Sequence, residues 1–196
     1  MIRGIILDWG GVVCEDPSLG FIRYCSKELG VSADILSQAV SMYLGDFMKG
    51  LPEEEFWGHV AKQVGIQAPS RPLWREALAA VYVPLEPTIE TARKLQRQGI
   101  RIGLLTNTEP PSRDFHLSLG YDFFWGRVFS CDEGLSKPDP KIYALAAERL
   151  GLRLEECLMV DDRAENIRGA EQAGMPAHLF VSQGLFEKAL TEYGIL

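Results

Sequence analysis

Six polar side chains fall at four points of this chain, each at the end of a short apolar run or at the start of a helix pattern. They are Asp8, Thr106, Asn107, Lys137, Asp161 and Asp162. If the runs are neighbouring parallel strands, their carboxyl ends meet at one sheet edge and these side chains converge there. Clustered carboxylates repel one another unless a divalent cation lies between them, and Mg²⁺ prefers oxygen ligands. With a hydroxyl and an ammonium to hold phosphate oxygens, the set suits phosphoryl transfer.

Each of these groups also has an ordinary structural explanation when it is taken alone. Asp8 could cap a turn, and Thr106-Asn107 is typical of turn chemistry. Lys137 alone would be a solvated charge, and Asp161-Asp162 could be an acidic pair favoured by the dipole at a helix start. Their joint occurrence, in this order, is what favours a functional site.

Short apolar runs alternate with helical periodicity along the chain, which is typical of a parallel sheet wrapped by helices. The predicted strands are Gly4–Leu7, Ile100–Leu105, Arg127–Ser130, Cys157–Val160 and Ala177–Val181. One helix is expected to begin at Pro140 with Asp139 as its N-cap. The pattern therefore predicts an α/β fold with a Rossmann-like parallel sheet core.

The interval 16–84 differs from the rest, because it holds helical segments and no convincing strand. Ser32 can N-cap one helix there, and Pro52 followed by three glutamates suits the positive end of another. We therefore predict a core domain of residues 1–15 and 85–196, into which a small helical cap of residues 16–84 is inserted after the first strand.

The composition is that of an ordinary globular protein. Of the 196 residues, 46% are hydrophobic and 24% are charged, with a net charge of −7. No cluster of Lys and Arg stands out, so nucleic acid is not an expected partner. Cys14, Cys25, Cys131 and Cys157 lack the spacing of metal ligands or paired half-cystines, which predicts free thiols in a reducing compartment. No apolar run approaches membrane length, so we expect a cytoplasmic protein without membrane association.

Four motifs, in order along the chain, resemble those of the haloacid dehalogenase-like (HAD) hydrolase superfamily. They are Leu7-Asp8-Trp9-Gly10-Gly11-Val12, Leu105-Thr106-Asn107, Ser136-Lys137-Pro138-Asp139-Pro140 and Val160-Asp161-Asp162-Arg163-Ala164-Glu165-Asn166. The resemblance covers essentially the whole chain, since the helical insert matches the small cap that this family places between its first two motifs.

The resemblance implies a role for each motif. Asp8 would be the nucleophile that forms an aspartyl-phosphate and a metal ligand, Thr106-Asn107 would bind phosphate, and Lys137 would orient it. Asp162 would bind Mg²⁺ directly, and Asp161 directly or through water. Metal-free dehalogenases have no need of two adjacent acids in the fourth motif. The pair therefore favours a Mg²⁺-dependent phosphohydrolase of a small phosphorylated metabolite over a 2-haloacid dehalogenase.

The first motif departs from the family pattern at Gly10. Phosphatases of the family usually carry a second aspartate there, which protonates the leaving alkoxide and then activates water. Gly10 can offer a backbone carbonyl to the metal but no proton. Losing positioned acid–base catalysis typically costs about 10²–10⁴-fold in rate.

Three interpretations follow from Gly10. The substrate could have a good leaving group, as the Asp-x-Gly form resembles a subgroup that includes sugar-phosphate phosphatases. Alternatively, another acid substitutes, with Glu15, Asp16 and Glu109 as candidates. In the third interpretation the protein binds a phosphorylated ligand without turning it over, as a sensor or partner module. Retention of Asp8 and the other motif residues favours an active enzyme.

Substrate specificity is expected to come from the cap. Candidate side chains there are Tyr24, Tyr43, Asp46, Lys49 and Trp57. Each fits helix packing or solvated surface better than ligand contact, the aromatic ones especially. No histidine is assigned a catalytic role.

Overall fold

The computed structural model describes residues 1–196 as a five-stranded parallel sheet with ten α-helices and a 3-10 turn at Leu154–Glu156. The strands are β1 (Gly4–Leu7), β2 (Arg101–Thr106), β3 (Phe124–Phe129), β4 (Cys157–Asp161) and β5 (Ala177–Leu179), in the order β3-β2-β1-β4-β5. The helices are α1 (Ser18–Leu29), α2 (Ala33–Phe47), α3 (Glu53–Val64), α4 (Leu73–Val81), α5 (Glu86–Arg97), α6 (Pro110–Ser118), α7 (Ser130–Glu133), α8 (Pro140–Arg149), α9 (Ala164–Gln172) and α10 (Gln183–Glu192). The predicted α/β fold with a Rossmann-like sheet is confirmed.

Strand β1 lies at the centre of the sheet, where the strand order reverses. Its last residue, Leu7, is in register with Leu104 on β2 and with Val160 on β4. Nearly every residue of these three strands is buried, as expected for central strands covered on both faces. In open α/β sheets, ligands bind at the carboxyl ends of the strands beside such a reversal. The topology therefore places the predicted functional residues at the usual binding edge.

Strand β3 begins three residues earlier than the predicted Arg127–Ser130. Gly126 lies inside the strand, in register with Gly103 of β2. A Cβ at Gly126 would lie 3.0 Å from the carbonyl oxygen of Arg149, at the end of α8. The glycine therefore permits a close approach of helix and strand, and it does not mark a turn before the strand.

Two of the predicted helix caps are confirmed. The Ser32 side chain accepts a hydrogen bond from the Ile35 N–H at the start of α2. The Asp139 carboxylate accepts one from the Lys141 N–H at the start of α8. These caps satisfy backbone donors that a helix start leaves without intrahelical partners. None of the four cysteines forms a disulfide bond, in agreement with the predicted thiols.

The chain divides into two compact units. One consists of Met1–Glu15, Pro84–Asn107 and Tyr121–Leu196, and the other, the helical unit, consists of Asp16–Val83 and Thr108–Gly120. The sequence predicts 85–196 as one continuous core segment, so the grouping of Thr108–Gly120 with the helices differs from that expectation. The reason is the packing of α6 on α4. The Trp74 Nε1–H donates to Ser112 Oγ at 2.8 Å, and the Phe115 ring contacts Tyr82.

An aromatic cluster forms the interior of the helical unit. The Trp74 ring contacts Phe21, Phe47 and Phe56 at centroid distances of 4.4, 4.8 and 5.4 Å. Trp57, a candidate specificity residue, is only 1% exposed within this cluster. Its ring therefore serves the packing of the helices.

None of the ten helices combines the length and the apolar character that crossing a membrane requires.

Candidate active site

Three of the predicted residues stand at neighbouring strand ends. Asp8 directly follows β1, Thr106 is the last residue of β2, and Asp161 is the last residue of β4. All three are buried, with Asp8 8%, Thr106 4% and Asp161 0% exposed. The register of β1 with both neighbours brings these side chains to the same edge, as the sequence predicts.

Lys137 links the two buried carboxylates. Its Nζ lies 2.9 Å from Asp8 Oδ1 and 2.5 Å from Asp161 Oδ2, and its side chain is 1% exposed. Buried charges are tolerated when they are paired in this way. Burial raises the pKa of Asp8 to about 6, although the Lys137 ammonium opposes this rise and Asp161 adds to it. The lysine thus stabilises the ionised form of this buried carboxylate.

The Asp161 carboxylate is held by three further hydrogen bonds. Asn166 Nδ2 donates to both of its oxygens, at 2.9 and 3.0 Å, and the Arg163 N–H donates to Oδ1 at 2.9 Å. The Tyr143 hydroxyl in turn donates to the Asn166 carbonyl at 2.7 Å. With Lys137, these donors fix the Asp161 carboxylate from several sides. The sequence does not predict a role for Asn166, although this residue belongs to the fourth motif. It lies on the first turn of α9.

Asp8, Asp161 and Asp162 form the carboxylate cluster that the sequence predicts. One carboxylate oxygen of each lies within 4.8 Å of the other two, and Asp162 is the most accessible of the three. Oxygen donors this close suit a hard divalent cation. Lys137, Asn166 and the Arg163 N–H already engage both oxygens of Asp161, which leaves that carboxylate fewer lone pairs for an ion. The donor set therefore fits Mg²⁺.

The side-chain amide of Asn107 makes two hydrogen bonds that the sequence does not predict. Its Nδ2 donates to the Lys137 carbonyl at 2.9 Å, and its Oδ1 accepts from the Lys137 N–H at 2.8 Å. The side-chain amide is therefore paired with the main chain of Lys137, whereas the sequence expectation is a contact with phosphate.

Two of the three acids considered as replacements for the missing aspartate have hydrogen-bonded carboxylates. Asp16 accepts from the N–H and the Oγ of Ser18, at 2.9 and 2.6 Å, at the start of α1. In the helical unit, Glu109 accepts from Ser112 Oγ at 2.9 Å. Burial raises the pKa of Glu109, and the bond from Ser112 opposes that rise. Glu15 is exposed.

A family profile described as haloacid dehalogenase-like hydrolase matches residues 2–174. The chain belongs to this family. The structure of this HAD-like hydrolase brings Asp8, Lys137 and Asp161 into direct contact, and it places Thr106 and Asp162 at the same edge of the sheet.

Curated relatives of this HAD-like hydrolase include several phosphatases. It is 32% identical over 145 residues to Phosphatase MT3486 of Mycobacterium tuberculosis, covering 70% of this chain and 65% of that protein. It is 33% identical over 180 residues to the sesquiterpene phosphatase astK of Aspergillus oryzae, covering 88% and 87% of the two chains. An (S)-2-haloacid dehalogenase of Pseudomonas sp. is 33% identical over 107 residues, 52% of this chain and 46% of that protein. Two other curated relatives are matched over only 50% and 41% of their own length.

Solved structures share the fold of this HAD-like hydrolase. The HAD family enzyme BT-2542 of Bacteroides thetaiotaomicron, in complex with magnesium and inorganic phosphate, has a TM-score of 0.75 at 20% identity. The match covers 91% of this chain and 94% of that chain.

Proposed function

We propose that this chain is a Mg²⁺-dependent phosphatase of a small phosphorylated metabolite, with Asp8 as the nucleophile. The contact of the Lys137 ammonium with both Asp8 and Asp161 is the observation that carries the proposal. A buried cation beside a carboxylate nucleophile lets a phosphate dianion approach an otherwise repulsive, negatively charged edge. The phosphatases among the relatives support the same chemistry.

The proposed reaction has two steps, both on Asp8. An oxygen of the Asp8 carboxylate attacks phosphorus, and the P–O bond to the leaving group breaks with its electron pair on the leaving oxygen, which gives an aspartyl-phosphate. The leaving oxygen takes its proton from solvent, since Gly10 supplies none. Water then attacks that intermediate, so that inorganic phosphate leaves and the carboxylate returns. The Thr106 hydroxyl and the Lys137 ammonium would hold the phosphate oxygens during both steps.

Asp8, Asp162 and the backbone carbonyl of Gly10 would hold the Mg²⁺ ion, and Asp161 would bind it directly or through water. When bound, the ion would neutralise charge on the transferring phosphoryl group. The Asp161-Asp162 pair also argues against the alternative of a 2-haloacid dehalogenase, since a halide-releasing site without metal has no need of the second acid.

Gly10 limits the kind of substrate that turns over well. Without a proton donor two residues after the nucleophile, an ester with a good leaving group, such as an anomeric sugar phosphate, is favoured over an alkyl ester. The same glycine supports a second candidate function, in which the protein binds a phosphorylated ligand without hydrolysing it.

The test of the proposal is phosphate release in the presence of Mg²⁺. An activated aryl phosphate and a panel of sugar phosphates are incubated with the wild type and with Asp8→Asn, which preserves shape and removes the nucleophilic charge. We expect release by the wild type, loss of it in the variant, and inhibition by a chelator.

Other outcomes would overturn specific parts of the proposal. Hydrolysis that persists in the presence of a chelator would overturn the proposed dependence on Mg²⁺. Hydrolysis that persists in Asp8→Asn removes the nucleophile assignment. If calorimetry detects Mg²⁺-dependent binding of the sugar phosphates and no phosphate is released, the second candidate function, binding without hydrolysis, is supported.

A further inference from the structure

The side-chain amide of Asn107 and the peptide groups of Lys137 form a two-point hydrogen-bonded pair. One bond runs from Asn107 Nδ2 to the Lys137 carbonyl and the other from the Lys137 N–H to Asn107 Oδ1, at 2.9 and 2.8 Å. The two residues are 30 positions apart in sequence, so this pair ties the end of β2 to the loop before α8. Two bonds in this arrangement fix the plane of the amide and the main chain it holds.

The loop that carries Lys137 is also packed against α9. A Cβ on Gly169 of that helix would lie 2.8 Å from the Pro138 carbonyl oxygen and 2.9 Å from the Tyr143 hydroxyl. The main chain at Lys137 is therefore held by Asn107, and the next residue, Pro138, is confined by α9. Since a lysine side chain has four rotatable bonds, fixing the main chain that carries it is what allows Nζ to reach two carboxylates at once.

We propose that Asn107 is a positioning residue that acts through Lys137. Its amide holds the main chain from which the Lys137 ammonium reaches Asp8 and Asp161, and it contributes to catalysis by placing that ammonium. Thr106, the neighbouring residue, keeps the phosphate-binding role at the end of β2. This inference rests on the proposed phosphatase activity for its kinetic readout, although its structural readout does not.

A double-mutant cycle separates positioning from direct phosphate binding. Asn107→Ala, Lys137→Met and the double variant are compared with the wild type for kcat/KM on an activated aryl phosphate. A misplaced catalytic group can cost on the order of 100-fold, so Asn107→Ala alone should lose about 10- to 100-fold. In the Lys137→Met background the same change should alter kcat/KM by less than about threefold, because residues that act as one unit are not additive. An equal loss in both backgrounds would overturn the proposal.

The affinity for inorganic phosphate, measured by calorimetry on the same four proteins, gives a second cycle when the Lys137→Met variants turn over too slowly. Coupled losses support positioning, and independent losses overturn it. Thr191→Ala is the matched control, since it removes a side-chain bond to the Glu187 carbonyl, at 3.0 Å on α10, and should leave kcat/KM unchanged.

The crystal structure of Asn107→Ala tests the same point without any activity. We expect Lys137 Nζ to leave hydrogen-bond distance of Asp8 Oδ1, which is 2.9 Å with Asn107 present. An unmoved ammonium would overturn the positioning role. If the wild type releases no phosphate from any substrate, the proposed function fails, and the displacement of Lys137 still decides this inference.

Discussion

The carboxylate of Asp162 occupies the space that a side chain on Gly11 would need. An ideal Cβ on Gly11 would lie 2.5 Å from Asp162 Cγ, closer than real carbon atoms approach. Gly11 also has a φ of +78°, in the left-handed region that favours glycine. Gly11 therefore permits both the turn that follows Asp8 and the close approach of Asp162, which directly follows β4.

Replacement of Gly11 by alanine should therefore displace Asp162 and weaken metal binding. Loss of groups that orient metal ligands typically costs about 10–100-fold in metal affinity or activity, and we expect a loss of that order for Gly11→Ala. The measurement is the Mg²⁺ concentration that gives half-maximal phosphate release, together with the Mg²⁺-induced shift in Tm. Gly65→Ala is the control, because Gly65 has a φ of +75° and no atom near its missing Cβ. Equal Mg²⁺ dependence in the two variants would contradict the steric explanation.

Gly10→Asp should restore the missing acid–base group. Gly10 does not have a positive φ, so an aspartate there meets no left-handed strain. General acid catalysis matters most for poor leaving groups, and we expect hydrolysis of an alkyl phosphate to rise by up to about 10²-fold. The rate on an activated aryl phosphate should change little. Gly10→Asn has the same shape without the proton, so a gain in both variants would show that acid catalysis is not the cause.

The buried His116 should make the protein less stable in mild acid. Burial lowers its pKa to about 3, so the folded protein keeps it neutral while the unfolded chain binds a proton near pH 6.5. The unfolded state then binds more protons between those values, and the free energy of unfolding falls as pH falls through this window. The slope is up to about 1.4 kcal/mol per pH unit.

Urea unfolding of the wild type and His116→Gln between pH 6.5 and 5 measures this contribution. The variant should show a shallower dependence of the free energy of unfolding on pH. His59→Gln, at an exposed position of α3, controls for the loss of a histidine as such. If the slopes of the wild type and His116→Gln coincide, the buried imidazole is not the cause.

Trp74 should be a major stabilising residue of the helical unit. It is 5% exposed, contacts four aromatic rings, and donates a hydrogen bond to Ser112. Truncation of a buried tryptophan typically costs about 3–5 kcal/mol, and we expect that loss in the free energy of unfolding for Trp74→Ala. Trp125→Ala is the control, since the Trp125 ring is 67% exposed and its substitution should cost about 1 kcal/mol or less. Similar losses in the two variants would contradict the role of the aromatic cluster.

The sequence by itself determined the strands that carry the site and the polar groups at their ends. Continuous apolar runs are sufficient to identify buried central strands, and parallel pairing sends Asp8, Thr106 and Asp161 to one edge whatever the details of packing. The caps at Ser32 and Asp139 were also predictable, because capping depends on residues only two or three positions apart.

Only the tertiary structure decided how those groups are used. The bond of Lys137 to both Asp8 and Asp161, the pairing of Asn107 with the Lys137 main chain, and the grouping of α6 with the helical unit all join residues distant in sequence. Such interactions depend on distances of a few ångströms that residue type and periodicity do not encode. The sequence therefore identifies the acids, the lysine and the amide, and packing determines which of them hold one another in place.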